Sequence, residues 1–279
     1  MTTTLTPPPT IDLQTIKARQ KATWESGDFG EIAKSIEPAA EEFMAQLPLR
    51  RGQRLLDAAC GTGNLAVIAS RAGCEVHGLD IATNLIGQAR ARARGEGLNI
   101  NYREGDAEAL PYEDASFDVV VSMYGVMFTP QPERIVDELR RVTKPGGMIA
   151  LANWTPSGFI GKMFGVFRRH VTPPAGLPSP LLWGDEDIVR DRLRHGFDGL
   201  RLARRIARMR YPFDPAGTVE FFRQYYGPTN RAFASLTPSA QAELRTELVQ
   251  LQSGHNVAKQ PGHTEVLAEY LEIQAIRTE

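Results

Sequence analysis

With 279 residues, 42% of them hydrophobic and 23% charged, the chain has an ordinary globular composition and enough length to bury a full core. Lys and Arg (32) nearly balance Asp and Glu (33), so no overall field draws the protein to nucleic acid or an anionic membrane, and small partners are favoured. The two cysteines, Cys60 and Cys74, suit neither a disulfide framework nor a zinc site, and no stretch approaches the roughly 20 apolar residues of a membrane span, so a metal-free cytoplasmic protein is expected.

The N-terminus, MTTTLTPPPT, has neither a basic flank nor an apolar run, and residues 1–10 read as a disordered, Pro-rich tail. Residues 11–50 read as helical. IDLQTIKARQKATW places Ile11, Ile16 and Trp24 at helix-compatible spacing, and EIAKSIEPAAEEFMAQL predicts a second helix interrupted near Pro38. From 51 to 155 short apolar runs alternate with helical segments, the appearance of a parallel sheet with crossover helices. The strands fall at 54–59, 74–80, 99–106, 117–124 and 148–154. Helices lie near 63–72, 83–95 with Thr83 as N-cap, and 131–143, the last stopped by Pro145, Gly146 and Gly147. Within 156–279 the strict alternation stops at a Pro- and Gly-rich stretch, TPPAGLPSPLLWG. Two further strands, 200–213 and 264–277, extend the sheet, with a helical lid between them at 214–253. The whole chain therefore reads as one α/β domain.

DAACGTGNLA closes the first strand and opens a helix, so Gly61 and Gly63 fall where the backbone turns sharply and lets a ligand approach. Gly61, Gly63 and Ala66 also satisfy the G-x-G-x-x-A spacing of dinucleotide enzymes, so the loop alone does not separate NAD from other adenosine cofactors. Asp80 ends the second strand nineteen residues after Gly61, where a carboxylate accepts hydrogen bonds from ribose hydroxyls. Asp106 ends the third strand beside the same crevice, within reach of an adenine amino group. Three polar strand ends converge where open α/β sheets bind ligands.

Four segments carry a resemblance: LLDAACGTGN, VHGLDIATNLIGQAR, EGDAEALPYEDASFDVVVSMYGVMF and ELRRVTKPGGMIALANW. In this order they closely resemble the class I S-adenosylmethionine-dependent methyltransferases, in particular the small-molecule branch called methyltransferase type 11. The flanks KATWESGDFGEI, ANWTPSGFIGKMF, PSPLLWG and EFFRQYYGPT resemble a bacterial subgroup of that branch, so the likeness spans nearly the whole chain. It implies a Rossmann-like, seven-stranded, mostly parallel sheet with helices on both faces and a helical lid. S-adenosylmethionine is the implied cofactor. By position, Asp57, Ala58, Gly61 and Gly63 go to its methionine moiety, Asp80 and Ile81 to ribose and adenine, Asp106 and Ala107 to the adenine edge, and Met123 to the cofactor through its backbone. Trp24 and Asp28 close over the carboxylate end. Ala59 stands where many members carry glycine.

Methyl transfer from a sulfonium is an in-line displacement in which the protein mainly aligns donor and acceptor and excludes water. An acceptor losing a proton needs a base, for which Tyr225 and Tyr226 are the catalytic candidates, with Tyr124, His255 and His263 as others. Tyr124, Trp154, Tyr225 and Asn230 are the substrate candidates in a lid rich in aromatics. The arginines at 201, 204, 205, 208 and 210 alternate between both faces of a strand, which favours salt-bridged edge positions over a nucleic-acid stripe. The partner is thus a small molecule rather than nucleic acid or membrane, with the acceptor and the oligomeric state left open. Alternative readings are an NAD(P)-dependent oxidoreductase on a similar fold and a non-catalytic cofactor-binding regulator.

Overall fold

A computed structural model describes residues 12–173 and 176–279. The proposed N-terminal tail, with Ile11, and residues 174–175 of the Pro-rich stretch lie outside them. Asp12 caps helix α1 (Leu13–Trp24), accepting from the Gln14 and Thr15 amides, and Asp28 caps α2 (Phe29–Ala45) through the Gly30 amide. The expected interruption at Pro38 does not occur: α2 runs through it. Pro38 sits on the exposed face, where the carbonyl it leaves unpaired meets water, while Ile32, Ile36, Ala40 and Phe43 anchor the opposite face.

Seven strands form one sheet in the order β3-β2-β1-β4-β5-β7-β6. They are β1 (Arg54–Ala58), β2 (Glu75–Asp80), β3 (Ile100–Glu104), β4 (Phe117–Met123), β5 (Thr143–Trp154), β6 (Phe197–Tyr211) and β7 (Thr264–Arg277). All neighbours pair in parallel except β7, which runs antiparallel to both β5 and β6. Leu55 and Leu56, and Val119 to Val121, are almost completely buried at successive positions, because a central parallel strand has no solvent face. The crossovers pass through α3 (Asn64–Arg71), α4 (Thr83–Gly95) and α5 (Pro132–Val142). The fifth strand begins at Thr143 rather than 148, since Thr143 already pairs with Phe117 and the Pro-Gly-Gly turn is absorbed as an irregularity before Met148. Thr83 is not the cap of α4. That position is Ala82, without a side-chain cap, while the Thr83 hydroxyl donates to Glu104.

After β5 come α6 (Phe159–His170) and α7 (Glu186–Leu193), and between β6 and β7 lie α8 (Pro215–Tyr225), α9 (Gly227–Ala234) and α10 (Pro238–His255). The helical segment between the last two strands is thus where the sequence placed it. Helix α10 packs on α6 and α8, and α2 packs on the end strand β6. The β6 arginines form the expected ion pairs: Arg204 with Glu186 and Glu269, Arg205 with Glu272, and Arg208 and Arg210 with Glu265. Among the described residues no helix is long and apolar enough to cross a membrane.

Candidate active site

The strand order reverses between β1 and β4, the position at which an open α/β sheet leaves a crevice beyond its carboxyl ends. A cavity opens there. Its walls include Asp57 near the end of β1 and Gly61 beyond it, Asp80 at the end of β2 and Ile81 beyond it, Asp106 and Ala107 after β3, and Met123 and Tyr124 at the end of β4. These are the strand ends singled out from the sequence. The loop after β1 carries Ala59 at φ 57 and Gly61 at φ 54. A left-handed alanine costs about 1–2 kcal/mol, strain that the surrounding loop has to hold. At Gly61 a Cβ would meet only the Phe29 ring, at 3.7 Å, so bare backbone faces the cavity.

Two of the predicted cofactor residues do not line this cavity. Ala58 is fully buried in β1, and Gly63 caps α3 at φ 82 with the place of a Cβ taken by the Tyr102 hydroxyl. The second glycine of the motif is therefore required by packing. Asp28 spends its carboxylate on the Gly30 amide and the Gln88 side chain, both at 2.9 Å.

Asp57 and Asp80 are 1% and 7% exposed, and among the described residues neither forms an ion pair. Burial pushes the Asp57 carboxyl up to about 8, opposed by the hydrogen bond from the Ala66 amide and reinforced by the Asp80 charge. Burial also raises Asp80, although the Gly61 amide at 2.8 Å and the Ala82 amide at 2.9 Å favour its ionised form. Cys60 is buried in the same wall with its thiol pushed up by desolvation and by both carboxylates, which excludes a thiolate nucleophile. Two desolvated carboxylates beside exposed loop backbone suit a ligand bearing both hydroxyl donors and positive charge. S-adenosylmethionine brings a ribose diol, an ammonium and a sulfonium, so these residues fit it.

Helix α1 supplies a wall of the cavity: Trp24 at its end was expected there from the sequence, whereas Lys17 and Gln20 were not. The Lys17 ammonium lies 2.6 Å from Asp106 and 2.5 Å from the buried Glu108, the Gln20 amide donates to the Phe128 carbonyl, and Lys21 pairs with Glu104. Yet α1 contributes no fully buried residue. A helix held mainly by partly exposed ion pairs opens at low cost, so its amides are expected to exchange rapidly without ligand and to gain at least tenfold protection with S-adenosylhomocysteine. Equal exchange rates in hydrogen-exchange mass spectrometry, with and without that ligand, would remove α1 from the binding site.

A second, smaller chamber shares Trp24, Phe29, Ile36, Tyr124 and Phe128 with the crevice and is otherwise lined by apolar groups and Tyr226. Tyr124 sits at φ 55 and stacks on Trp154 with ring centroids 3.5 Å apart. Its buried hydroxyl has no hydrogen-bond partner in the structure. Burial raises the phenols of Tyr124 and Tyr226.

The substrate and catalytic candidates thus divide. Tyr124, Trp154 and Tyr226 meet in this chamber, whereas Tyr225 packs on Phe221 outside it. Asn230 is engaged by the Ser26 hydroxyl at 2.6 Å and the Arg223 carbonyl, tying α9 to the turn after α1. His255 contacts Lys162 and the Leu251 carbonyl, and His263 is at the surface; neither lines a chamber.

A family model described as a methyltransferase domain matches residues 56–151. Over 248 residues the chain is 38% identical to an uncharacterised protein of Mycobacterium tuberculosis, covering 87% of this chain and 90% of the relative. It is also 37% identical to the demethylmenaquinone methyltransferase of Deinococcus radiodurans, over 50% of this chain and 57% of that enzyme. The chain belongs to the S-adenosylmethionine-dependent methyltransferases. The fold agrees: the YcgJ protein of Bacillus subtilis superposes with a TM-score of 0.61 at 16% identity, covering 86% of this methyltransferase and 98% of that chain. A Haemonchus contortus phosphoethanolamine N-methyltransferase, solved with phosphomonomethylethanolamine and S-adenosylhomocysteine, does so with a TM-score of 0.54 at 20% identity, covering 87% of this methyltransferase and 53% of that one. Membership makes the protein an enzyme with S-adenosylmethionine as its cofactor, and the oxidoreductase and non-catalytic readings fall away.

Proposed function

We propose that this methyltransferase acts on a small apolar or aromatic acceptor by in-line displacement, with the acceptor seated in the Tyr124–Trp154–Tyr226 chamber. The observation that carries this is the shared wall between the two chambers, which sets acceptor and cofactor side by side in an apolar enclosure. When bound, S-adenosylmethionine supplies a methyl group on a sulfonium. Asp80 takes the ribose hydroxyls, Asp57 and the Gly61 backbone the methionine end, Asp106, Ala107 and Ile81 the adenine, and the Met123 backbone and Trp24 complete the enclosure.

Among the described residues no carboxylate or imidazole lines the aromatic chamber, and its two phenols are held neutral by burial. Tyr124 and Tyr226 accordingly orient the acceptor through hydrogen bonds and do not act as bases. An acceptor for such a chamber gives its proton to solvent before it enters, as an acidified phenol or thiol does, or carries a free lone pair, as an unprotonated amine does. Residues 1–279 act as one catalytic unit, with 51–155 holding cofactor and the flanking helices enclosing the acceptor. The buried free thiols of Cys60 and Cys74 support a reducing, cytoplasmic setting, and the ion-paired β6 arginines support a small-molecule partner over a nucleic acid.

Incubation of the enzyme and isotopically labelled cofactor with a small-molecule extract is expected to move label into an organic-soluble product. Label appearing only in protein or nucleic acid would overturn the assignment. With the product in hand, Tyr124→Phe and Tyr226→Phe each are expected to lower kcat/KM about tenfold, the loss of one oriented hydrogen bond near 1.4 kcal/mol, while cofactor affinity stays within threefold. A parallel loss of cofactor binding would make the two tyrosines structural.

A further inference from the structure

Helix α1 and the turn that follows it are locked, backbone to backbone, against α9 and the turn that precedes it. The Asp28 amide donates to the Tyr225 carbonyl at 3.1 Å, and the Arg231 guanidinium donates to the Ala22 carbonyl at 3.0 Å. Asn230 accepts from the Ser26 hydroxyl at 2.6 Å while its own amide group donates to the Arg223 carbonyl, so it bridges the two sides. Two glycines permit this approach. A Cβ on Gly27, which sits at φ 78, would lie 2.7 Å from the Tyr225 carbonyl oxygen, and one on Gly227 would overlap the Thr23 carbonyl. Both obstacles are backbone, which no change of rotamer moves aside.

The contact joins elements with different duties. Helix α1 lines the cofactor cavity through Lys17, Gln20 and Trp24, and among the described residues none from α8, α9 or α10 does. Phe222 and Tyr226 instead line the aromatic chamber, with the Tyr226 ring 6.1 Å from that of Trp24. Because α1 buries no residue fully, a ligand in the crevice is what holds it firmly in place. We propose that the two turns form a clamp through which cofactor binding sets the acceptor lid. S-adenosylmethionine fixes α1, α1 fixes the turn between α8 and α9, and that turn brings Phe222 and Tyr226 into position. The acceptor then binds the cofactor-loaded enzyme more tightly than the empty one, and by linkage it tightens cofactor binding by the same factor. Gly27, Gly227 and Asn230 line neither cavity and act as positioning residues. The consequence for the acceptor rests on its placement argued above, whereas the linkage of α1 to α9 stands on the contacts alone.

Hydrogen exchange in peptides covering residues 215–234, with and without S-adenosylhomocysteine, tests the clamp. In the wild type those amides are expected to slow at least threefold on binding, together with those of α1, although none of them lies in the cofactor cavity. In Gly227→Ala the added methyl pushes α9 away from Thr23. Gly227 is outside the left-handed region, where alanine in a helix is otherwise neutral or favourable, so the cost is confined to the contact. S-adenosylhomocysteine is expected still to protect α1 in this variant, with the protection no longer reaching 215–234. The double variant Ser26→Ala with Arg231→Ala removes two tethers without adding bulk; it is expected to weaken the transmitted protection in the same sense, and it carries the test if Gly227→Ala does not fold. Calorimetry with 4-ethylphenol as probe reads the second consequence: S-adenosylhomocysteine is expected to strengthen its binding about tenfold in the wild type and less than threefold in Gly227→Ala. Failure of 4-ethylphenol to bind either form would overturn the chamber as the acceptor site and not the clamp. Protection confined to α1 in the wild type, or equal protection of 215–234 in the wild type and both variants, would overturn the clamp.

Discussion

Replacing Asp80 with alanine is expected to weaken S-adenosylhomocysteine binding about five- to 150-fold, about 1–3 kcal/mol, because two ribose hydroxyls lose their acceptor in a site that excludes most water. The carboxylate also organises the loop before any ligand arrives, its Oδ2 accepting from the Gly61 amide and its Oδ1 from the Ala82 amide. Removing it leaves both buried amides unpaired, so part of the loss will come from a loosened loop. Asp80→Asn separates the two effects: it retains one acceptor for the loop and changes the diol contact, and intermediate weakening is expected. Calorimetry gives the affinities and thermal melting the loop contribution. Unchanged affinity in Asp80→Ala with an unchanged melting temperature would take Asp80 out of the cofactor site.

The features that the sequence announced are those whose cause is local. Asp80 stands at the end of an apolar run, Asp106 closes the strand segment NINYREGD, and the loop between Asp57 and Asn64 is spelled out by Gly61 and Gly63, so strand ends, loop and crevice follow from a few consecutive residues. The long edge strand β6 was legible for the same reason: exposed arginines and apolar residues interleave along it, as where Arg208 and Arg210 separate the buried Ala207, Met209 and Tyr211. Pro38 misled because its effect depends on which face of α2 meets solvent, a property of the packed molecule.

What stayed hidden depends on contacts distant along the chain. Lys17 reaches Asp106 across 89 positions, and nothing in IDLQTIKARQ distinguishes it from an ordinary solvated lysine. Tyr225 and Tyr226 are adjacent in sequence, and only the turn between α8 and α9 decides that Tyr226 enters the chamber while Tyr225 stays outside. Gly63 shows the converse. Its motif position suggests ligand contact, yet the tyrosine that requires it to be glycine lies on another strand.

The apo enzyme is expected to gain from Asp57 a stability that is present below pH 4 and lost progressively as pH rises toward 8. The direction follows from the raised carboxyl: between the ordinary carboxyl value of 3.8 and about 8 the folded state binds a proton at Asp57 that the unfolded state has already released. Within that window the stability difference between wild type and Asp57→Asn is expected to fall by up to about 1.4 kcal/mol per pH unit, one proton's worth of linkage. Binding of the cofactor reverses the balance. A cationic methionine end placed against Asp57 favours the carboxylate, so at pH 7 S-adenosylmethionine binding is expected to release a proton from the wild-type enzyme and not from Asp57→Asn. Chemical denaturation from pH 4 to 8 measures the first effect, and calorimetry in buffers of different ionisation enthalpy the second. Equal proton release by the two enzymes would place the positive end of the cofactor away from Asp57, and a pH-independent stability difference would mean that Asp57 is already ionised in the empty crevice.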